Sequence, residues 1–447
     1  MAKSKTLFSC NSCGASSPKW LGKCPACGEF NTYIEETLIE KKKSAEYRGF
    51  DSGSLTKLED ISTLDSARLK TGMEELDRVF GGGIVKGSLI LLGGEPGAGK
   101  STLALKIADA VSASGKVLYI SGEESLEQIK LRAIRTLVSS KNIMLATETG
   151  VEKITAMIEK ELPALAIIDS IQTVFKEDID AAAGTVTQIK ESCAQLMYAA
   201  KKAGVAVMII GHVTKDGMIA GPKILEHMVD AVMYFEAEKY YQFKILRAVK
   251  NRFGSTNEIG IFEMGNEGIK ELKSPSSVLL DGLKGSKTGS AIVTVMEGTR
   301  PLLLEVQALS SRRSFGVPQR TVTGVDYNRF LIVLAILEKA LDVRMDNHDI
   351  FVNVAGGIKI DDTGADMGIA AAIYSSFTER PMSTKAVFIG ELSLDGEVRP
   401  VKFIEQRIAE AERLGFELCY VPERTPQVKA AIEVKRINNI SMLKKIL

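Results

Sequence analysis

The chain has 447 residues, 45% of them hydrophobic and 25% charged, with a formal net charge of +1. Those values fit a soluble globular protein of roughly two to four domains, and they exclude a global polycation that binds nucleic acid through net charge alone. The densest apolar run, Phe330 to Leu337, ends at Glu338 and is too short to span a bilayer, and MAKSKTLFSC lacks the apolar core of a leader. No membrane partner and a cytoplasmic location are the expectation.

Six cysteines, four of them in one cluster, do not form a disulfide framework. Cys10-x-x-Cys13 and Cys24-x-x-Cys27 are followed by Gly14 and Gly28, which let each turn close behind its second sulfur. Two such knuckles complete a tetrahedral four-thiolate site with no position left for water, so residues 1–30 are expected to hold a structural Zn2+ and to need it to fold. The competing redox reading needs one pair at a helix start, not two in a glycine-rich segment. Residues 31–66 are polar and aperiodic and read as a linker. Cys193 and Cys419 stand in apolar surroundings and read as buried.

From 67 to 273, apolar strand-like runs alternate with amphipathic segments, the pattern of an α/β domain with a largely parallel sheet. The strand candidates are 89–92, 117–120, 165–168 and 205–210. Val186, Ile189, Cys193, Leu196, Met197 and Ala200 keep helical spacing and predict a core-facing helix. Gly94-Glu95-Pro96-Gly97-Ala98-Gly99-Lys100-Ser101 matches the phosphate-loop pattern in full, between a predicted strand and a predicted helix. Its glycines let backbone N–H groups wrap the phosphates of ATP, Lys100 reaches the β/γ oxygens, and Ser101 ligates Mg2+. Asp169, at the end of LAIID, is the second carboxylate expected around Mg2+. Glu123 and Glu124 end the next strand after the loop. Glu123 is the favoured base for polarising water, with Glu124 read as a helix-starting acid.

GHVT, residues 211–214, follows another strand. KNRFG, residues 250–254, closes the strand-like stretch from Tyr240 to Val249. Taken alone, Lys250 and Arg252 suit a solvated hairpin tip with Gly254 making the turn. KSPSS, residues 273–277, marks a second linker, before an αβ zone over 274–447.

TGMEELDRVFGGGIVKGSLILLGGEPGAGKSTL resembles the start of a RecA-type ATPase core. GHVTKDGMIAGPKILEHMVD and KNRFG narrow the resemblance to the bacterial RadA (Sms) family, over essentially the whole chain. IDDTGADMGIAAAI and AVFIGELSLDGEVRPVKFIEQRI are similar to the proteolytic domain of Lon. The resemblance implies an α/β RecA-type P-loop ATPase core between a zinc module and a C-terminal Lon protease-like α+β domain. It implies that Lys250 and Arg252 act in trans on a neighbouring subunit's γ-phosphate, as a homo-oligomeric, hexameric ring requires. It also makes His212 a γ-phosphate sensor, against an equally good reading as a structural histidine. The segment from Lys215 to Lys223 becomes a loop contacting single-stranded DNA, although two loop lysines are commonly just solvated.

In the Lon register, the nucleophilic serine falls at Gly364 and the lysine near Glu405, with Lys402 close by. A glycine supplies no nucleophile, so no protease is expected, and ring assembly or DNA contact remains for this domain. Ser311, Arg312, Arg313, Ser314 and Arg320 add local positive charge that either faces DNA or is solvated. The resulting expectation is a DNA-dependent ATPase and branch-migration motor of recombination and repair. Single-stranded and branched DNA and a RecA-type recombinase are its partners. The rivals are an ATP-switched adaptor that loads or remodels the recombinase without translocating and, further off, an ATP-dependent protease.

Overall fold

The computed structural model describes residues 4–10, 15–39, 68–212, 222–237, 243–280, 282–283, 285–313, 316–355 and 358–447. The chain divides into two compact units, one holding Met1–Ala237 with Gln242–Leu272 and the other holding Lys273–Leu447.

The first unit is organised by a nine-stranded sheet. In chain order its strands are β1 (Leu89–Gly93), β2 (Val117–Ser121), β3 (Ile143–Thr147), β4 (Leu165–Asp169), β5 (Ala206–Ile210), β6 (Ala231–Ala237), β7 (Phe243–Asn251), β8 (Ile259–Gly265) and β9 (Gly268–Glu271). Their order across the sheet is β9-β8-β7-β6-β1-β5-β4-β2-β3. β1 to β6 pair in parallel, and β7, β8 and β9 extend the sheet antiparallel. Every residue of β1, β2, β4 and β5 is buried, because crossover helices cover both faces of a parallel sheet. Strand alternation sorts the side chains: Ile90, Leu92, Tyr119 and Ile167 join one core, while Leu89, Leu91, Ile120 and Ile168 join the other.

The helices α1 (Lys100–Val111), α2 (Leu126–Arg135), α3 (Val151–Glu161), α4 (Val186–Ala203) and α5 (Pro222–Met228) complete the core. Ser125 and Gln128 form a reciprocal capping box that starts α2 immediately after Glu123 and Glu124. In α4 the Thr185 side chain caps the Gln188 amide, and Gly204, at φ 64°, ends the helix.

At the amino-terminal side of this unit, Ser4–Cys10 pairs antiparallel with Tyr33–Ile39 along its whole length. The second of these strands lies where a linker was expected to have begun. Its polar residues pair through the backbone, which apolar patterning does not report.

The second unit contains a seven-stranded mixed sheet: β10 (Ser290–Glu297), β11 (Arg300–Arg312), β12 (Arg320–Thr323), β13 (His348–Val354), β14 (Ala386–Phe388), β15 (Leu418–Pro422) and β16 (Glu433–Ile437). They lie in the order β12-β13-β11-β10-β14-β15-β16. Three helices matter below: α6 (Tyr327–Leu341), α7 (Asp366–Thr378) and α8 (Ile404–Arg413). The first eleven residues of α7 are buried, as its run of Ala, Ile and Gly allows.

Candidate nucleotide site and metal centre

The phosphate loop joins β1 to α1. Gly94 and Gly99 take φ of 153° and 101°, and a Cβ on Gly94 would lie 2.3 Å from the Phe235 carbonyl oxygen of β6. That glycine is therefore required by the neighbouring backbone as well as by the turn. Lys100 is only 3% exposed. Its ammonium donates to the carbonyls of Gly94 at 2.8 Å and Glu95 at 2.9 Å, so it is folded back over the loop. Burial pulls its pKa down, while the charges of Asp169 and Glu123 push it up. Ser101 occupies the first turn of α1.

The carboxyl ends of β1, β5, β4 and β2 lie side by side, the edge where parallel α/β sheets bind ligands. Ser121 pairs with Asp169 across the β2–β4 ladder. That register brings Glu123, Asp169 and Ser170 to one place. Asp169 is buried and accepts a 2.7 Å hydrogen bond from the Tyr119 hydroxyl. The Ser170 hydroxyl donates to Glu123, and His212, just past β5, has Nε2 3.3 Å from the same Glu123 oxygen. Hydrogen bonding from His212, then from Ser170, outweighs desolvation and holds the Glu123 carboxyl down at about 2. Glu124 turns away and pairs with Arg132 of α2. Of the two adjacent acids, only Glu123 joins the cluster with Ser170 and His212. Tyr119 and Ser170 carried no motif signal, since each acquires its part only through a neighbouring strand.

Lys250 and Arg252 sit elsewhere. Lys250 is opposite Val232, which is opposite Leu91. The backbone N–H of Arg252 donates to the Asp230 carbonyl, and that of Asp230 to the Leu89 carbonyl. Arg252 is thus level with the start of β1, whereas the phosphate loop leaves from its end, roughly 13 Å away at ~3.3 Å per residue. The Lys250 ammonium donates to the carbonyls of Glu226, His227 and Val229 at 2.7, 3.2 and 2.9 Å, at the carboxyl end of α5. The Arg252 guanidinium pairs with Asp230 at 3.0 Å. Gly254 does not make a left-handed turn. It is needed because a Cβ there would come 2.8 Å from the Gly81 Cα, where the segment packs against GGG, residues 81–83. Arg68 donates to the Phe253 carbonyl and Asn251 to that of Val79, which hold the same contact. Lys215 and the side chain of Lys223 lie outside the described residues.

Cys10, Cys24 and Cys27 bring their sulfurs within 4.8 Å of one another; Cys13 lies outside the described residues. The Cys24 knuckle is closed by Gly28 N–H donating to the Cys24 carbonyl, with Gly28 at φ 78°. Two of the three sulfurs are fully buried yet converge, a donor set that fits a soft, tetrahedral ion such as Zn2+. Cys193 and Cys419 are buried instead in apolar cores, where desolvation lifts each thiol to about 12.

In the second unit, Gly364 lies in a short 3-10 turn before α7. A Cβ there would be 2.9 Å from the Arg407 guanidinium. Arg407, 2% exposed, donates to Asp362 and to the Thr294 carbonyl, both at 2.5 Å, and to the Lys402 carbonyl at 3.0 Å. Glu405 and Lys402 are exposed. The Gly364 backbone thus meets a guanidinium, not a lysine ammonium. Arg313 pairs with Asp349, and Arg320 donates to the carbonyls of His348 and Met345, leaving Ser311 and Arg312 as the exposed members of that basic run. Ser314 lies outside the described residues.

Residues 8–35 match the family model described as a rubredoxin metal binding domain, 55–218 that of an AAA domain, and 314–425 that of subunit ChlI of Mg-chelatase. DNA repair protein RadA of Bacillus subtilis (strain 168) is 49% identical over 429 residues, 94% of this chain and 93% of that protein. The chain belongs to the RadA family. Further RadA relatives are 46% identical in Streptococcus pyogenes serotype M6, over 100% of this chain and 99% of that protein, and 47% identical in Listeria monocytogenes serovar 1/2a, over 95% and 93%. The crystal structure of the RadB recombinase is similar over 46% of this chain and 100% of that one, at 21% identity and a TM-score of 0.38. RadA-family membership goes with the fold seen here, a RecA-type ATPase core between a zinc ribbon and a Lon-like α+β domain. Among the described residues no helix is long and apolar enough to cross a membrane.

Proposed function

We propose that this chain is a DNA-dependent ATPase whose hydrolysis drives movement along single-stranded DNA and migration of recombination branches. The observation that carries the ATPase reading is the convergence of Lys100, Asp169 and Glu123 at one edge of the sheet. Their mutual electrostatics couple Lys100 to both acids. In this reading Gly94, Glu95, Pro96, Gly97, Ala98 and Gly99 wrap the phosphates with backbone N–H groups. Lys100 leaves its two carbonyls for the β/γ oxygens, and Glu123 orients the attacking water. Ser101 and Asp169 would hold Mg2+, which would supply charge neutralisation at those phosphates; the Tyr119 hydroxyl orients the Asp169 carboxylate through one of its oxygens. Cys10, Cys13, Cys24 and Cys27 hold Zn2+ as a structural cross-link.

The ring reading rests on where KNRFG lies. Arg252 is level with the start of β1 and the phosphate loop is at its end. Cations so placed serve a nucleotide bound by a second subunit, and a ring supplies one. The zinc module, carried as far as Ile39 by its strand pairing with Ser4–Cys10, then precedes the ATPase and assembly modules over 67–273 and 274–447. The recombinase and branched DNA are the partners this reading assigns. The test is ATP turnover with and without single-stranded DNA, followed by strand displacement on a forked substrate. DNA-stimulated turnover with displacement supports the motor. DNA-stimulated turnover without displacement, or turnover indifferent to DNA, counts against the motor and favours the adaptor that remodels the recombinase.

A further inference from the structure

We propose that Asp230 is a positioning residue that keeps Arg252 in reserve within its own subunit and releases it to the neighbour's nucleotide, so that two sites sense one another. The inference rests on the trans role given to Arg252 above and adds the residue that regulates it.

Asp230 lies between α5 and β6 and is 4% exposed. One carboxylate oxygen accepts from the Arg252 guanidinium at 3.0 Å, and the other accepts from the Leu89 backbone N–H at 3.1 Å. The backbones repeat both links, Arg252 N–H to the Asp230 carbonyl and Asp230 N–H to the Leu89 carbonyl. Leu89 is the first residue of β1, whose far end is the phosphate loop. A single buried carboxylate therefore joins the arginine meant for the next subunit to the strand that carries this subunit's own nucleotide loop.

Other groups leave Asp230 dependent on Arg252. Lys250 senses its charge, but the ammonium is already bound to three carbonyls at the end of α5. Cys193, which also senses Asp230, carries a neutral thiol. A buried carboxylate stripped of its cation is costly, so Arg252 departs only when another anion draws it. A terminal phosphate across a subunit boundary is such an anion, and the Arg252 side chain, 54% exposed, is open to it on its solvent side. One guanidinium with two anionic destinations is a two-state element. When Arg252 leaves, the carboxylate keeps the Leu89 amide as its remaining short hydrogen bond, and β1 feels the change.

Asp230→Asn tests this in the full-length assembled protein. The amide oxygen still accepts from Leu89, but the charge that holds Arg252 is gone. The expected result is DNA-free ATP turnover raised about fivefold or more, a Hill coefficient for ATP close to one, and unchanged nucleotide affinity. In an Arg252→Ala background the same substitution should alter none of these. Unchanged or lower DNA-free turnover in a variant that melts like wild type would overturn the proposal. Should Asp230→Asn not fold, exchange of the Leu89 amide in the wild-type assembly decides. It is expected to differ between the free protein and protein saturated with a non-hydrolysable ATP analogue, and not to differ in Arg252→Ala; identical exchange in both wild-type states overturns the proposal. Wild-type turnover by Arg252→Ala would instead refute the trans role itself.

Discussion

His212 Nε2 lies 3.3 Å from the Glu123 carboxylate, so a histidine two residues past β5 and an acid two residues past β2 form one hydrogen-bonded pair across the mouth of the nucleotide site. The pair holds the Glu123 carboxyl at about 2, against an ordinary value of 4.5. A carboxyl depressed by folding contributes stability that is complete above 4.5 and lost as pH falls toward 2. Because the Glu123 side chain is 38% exposed, solvent screening keeps that contribution small. The larger consequence concerns activity. Replacing His212 by Ala removes the main cause of the depression, and the acid limb of the turnover profile is expected to move up by about one pH unit or more. A profile superimposable on wild type would show that Glu123 is not the titrating base.

The fold-back of Lys100 onto Gly94 and Glu95 predicts a binding defect as well as a catalytic one. Lys100→Ala removes a buried cation that the charges of Asp169 and Glu123 favour, leaving two acids facing a polyphosphate. Turnover is expected to fall about a hundredfold or more, with nucleotide binding weakened in equilibrium titration. Glu124→Gln is the contrasting control. It loosens Arg132 and the start of α2 and leaves turnover within about threefold of wild type, since Glu124 faces away from the cluster.

The legibility of this chain follows burial. β1, β2, β4 and β5 were readable because all their residues are buried on two faces, which writes continuous apolar runs. β3 escaped notice because it is the sheet edge and its five residues are intermediate or exposed. The phosphate loop was readable since its function needs a fixed local spacing. Asp230 was not: its partners Leu89 and Arg252 are 141 and 22 residues away, the first brought to it by the β1–β6 pairing and the second by the β6–β7 pairing. Arg407 was hidden for a related reason. In IEQRIAEAER it reads as one polar residue of an amphipathic helix, yet it is the buried centre of a network reaching Asp362 and Thr294.

That network gives a prediction for the second unit. Gly364→Ser places a side chain within about 3 Å of the Arg407 guanidinium, and overpacking of this kind costs about 1–3 kcal/mol. The variant is expected to melt lower than wild type and to digest no casein. Arg407→Leu removes the buried guanidinium from Asp362, which is 17% exposed and keeps the Met296 and Gly364 amides, and leaves the Thr294 carbonyl unpaired; the expected cost is about 1–3 kcal/mol. Casein cleavage by Gly364→Ser would reopen the protease reading.

The zinc module carries its own reporter. Trp20 is the only tryptophan, and its indole N–H donates to the Tyr33 carbonyl at 3.2 Å, beside the Cys24 knuckle. Metal analysis is expected to give one Zn2+ per chain. A strong chelator is expected to shift Trp20 emission without changing the melting of the ATPase core. Absence of bound metal together with native Trp20 emission would contradict a structural zinc.

The most direct test of the account mixes two inactive variants and measures ATP turnover in the presence of single-stranded DNA. Lys100→Ala chains bind nucleotide poorly but still present Lys250 and Arg252. Lys250→Ala chains bind nucleotide but lack one of those cations. If the cations act across a subunit boundary, mixtures recover turnover that neither variant shows alone, greatest near equal proportions. No recovery at any ratio, from chains shown to co-assemble, would contradict action in trans and with it the ring mechanism proposed here.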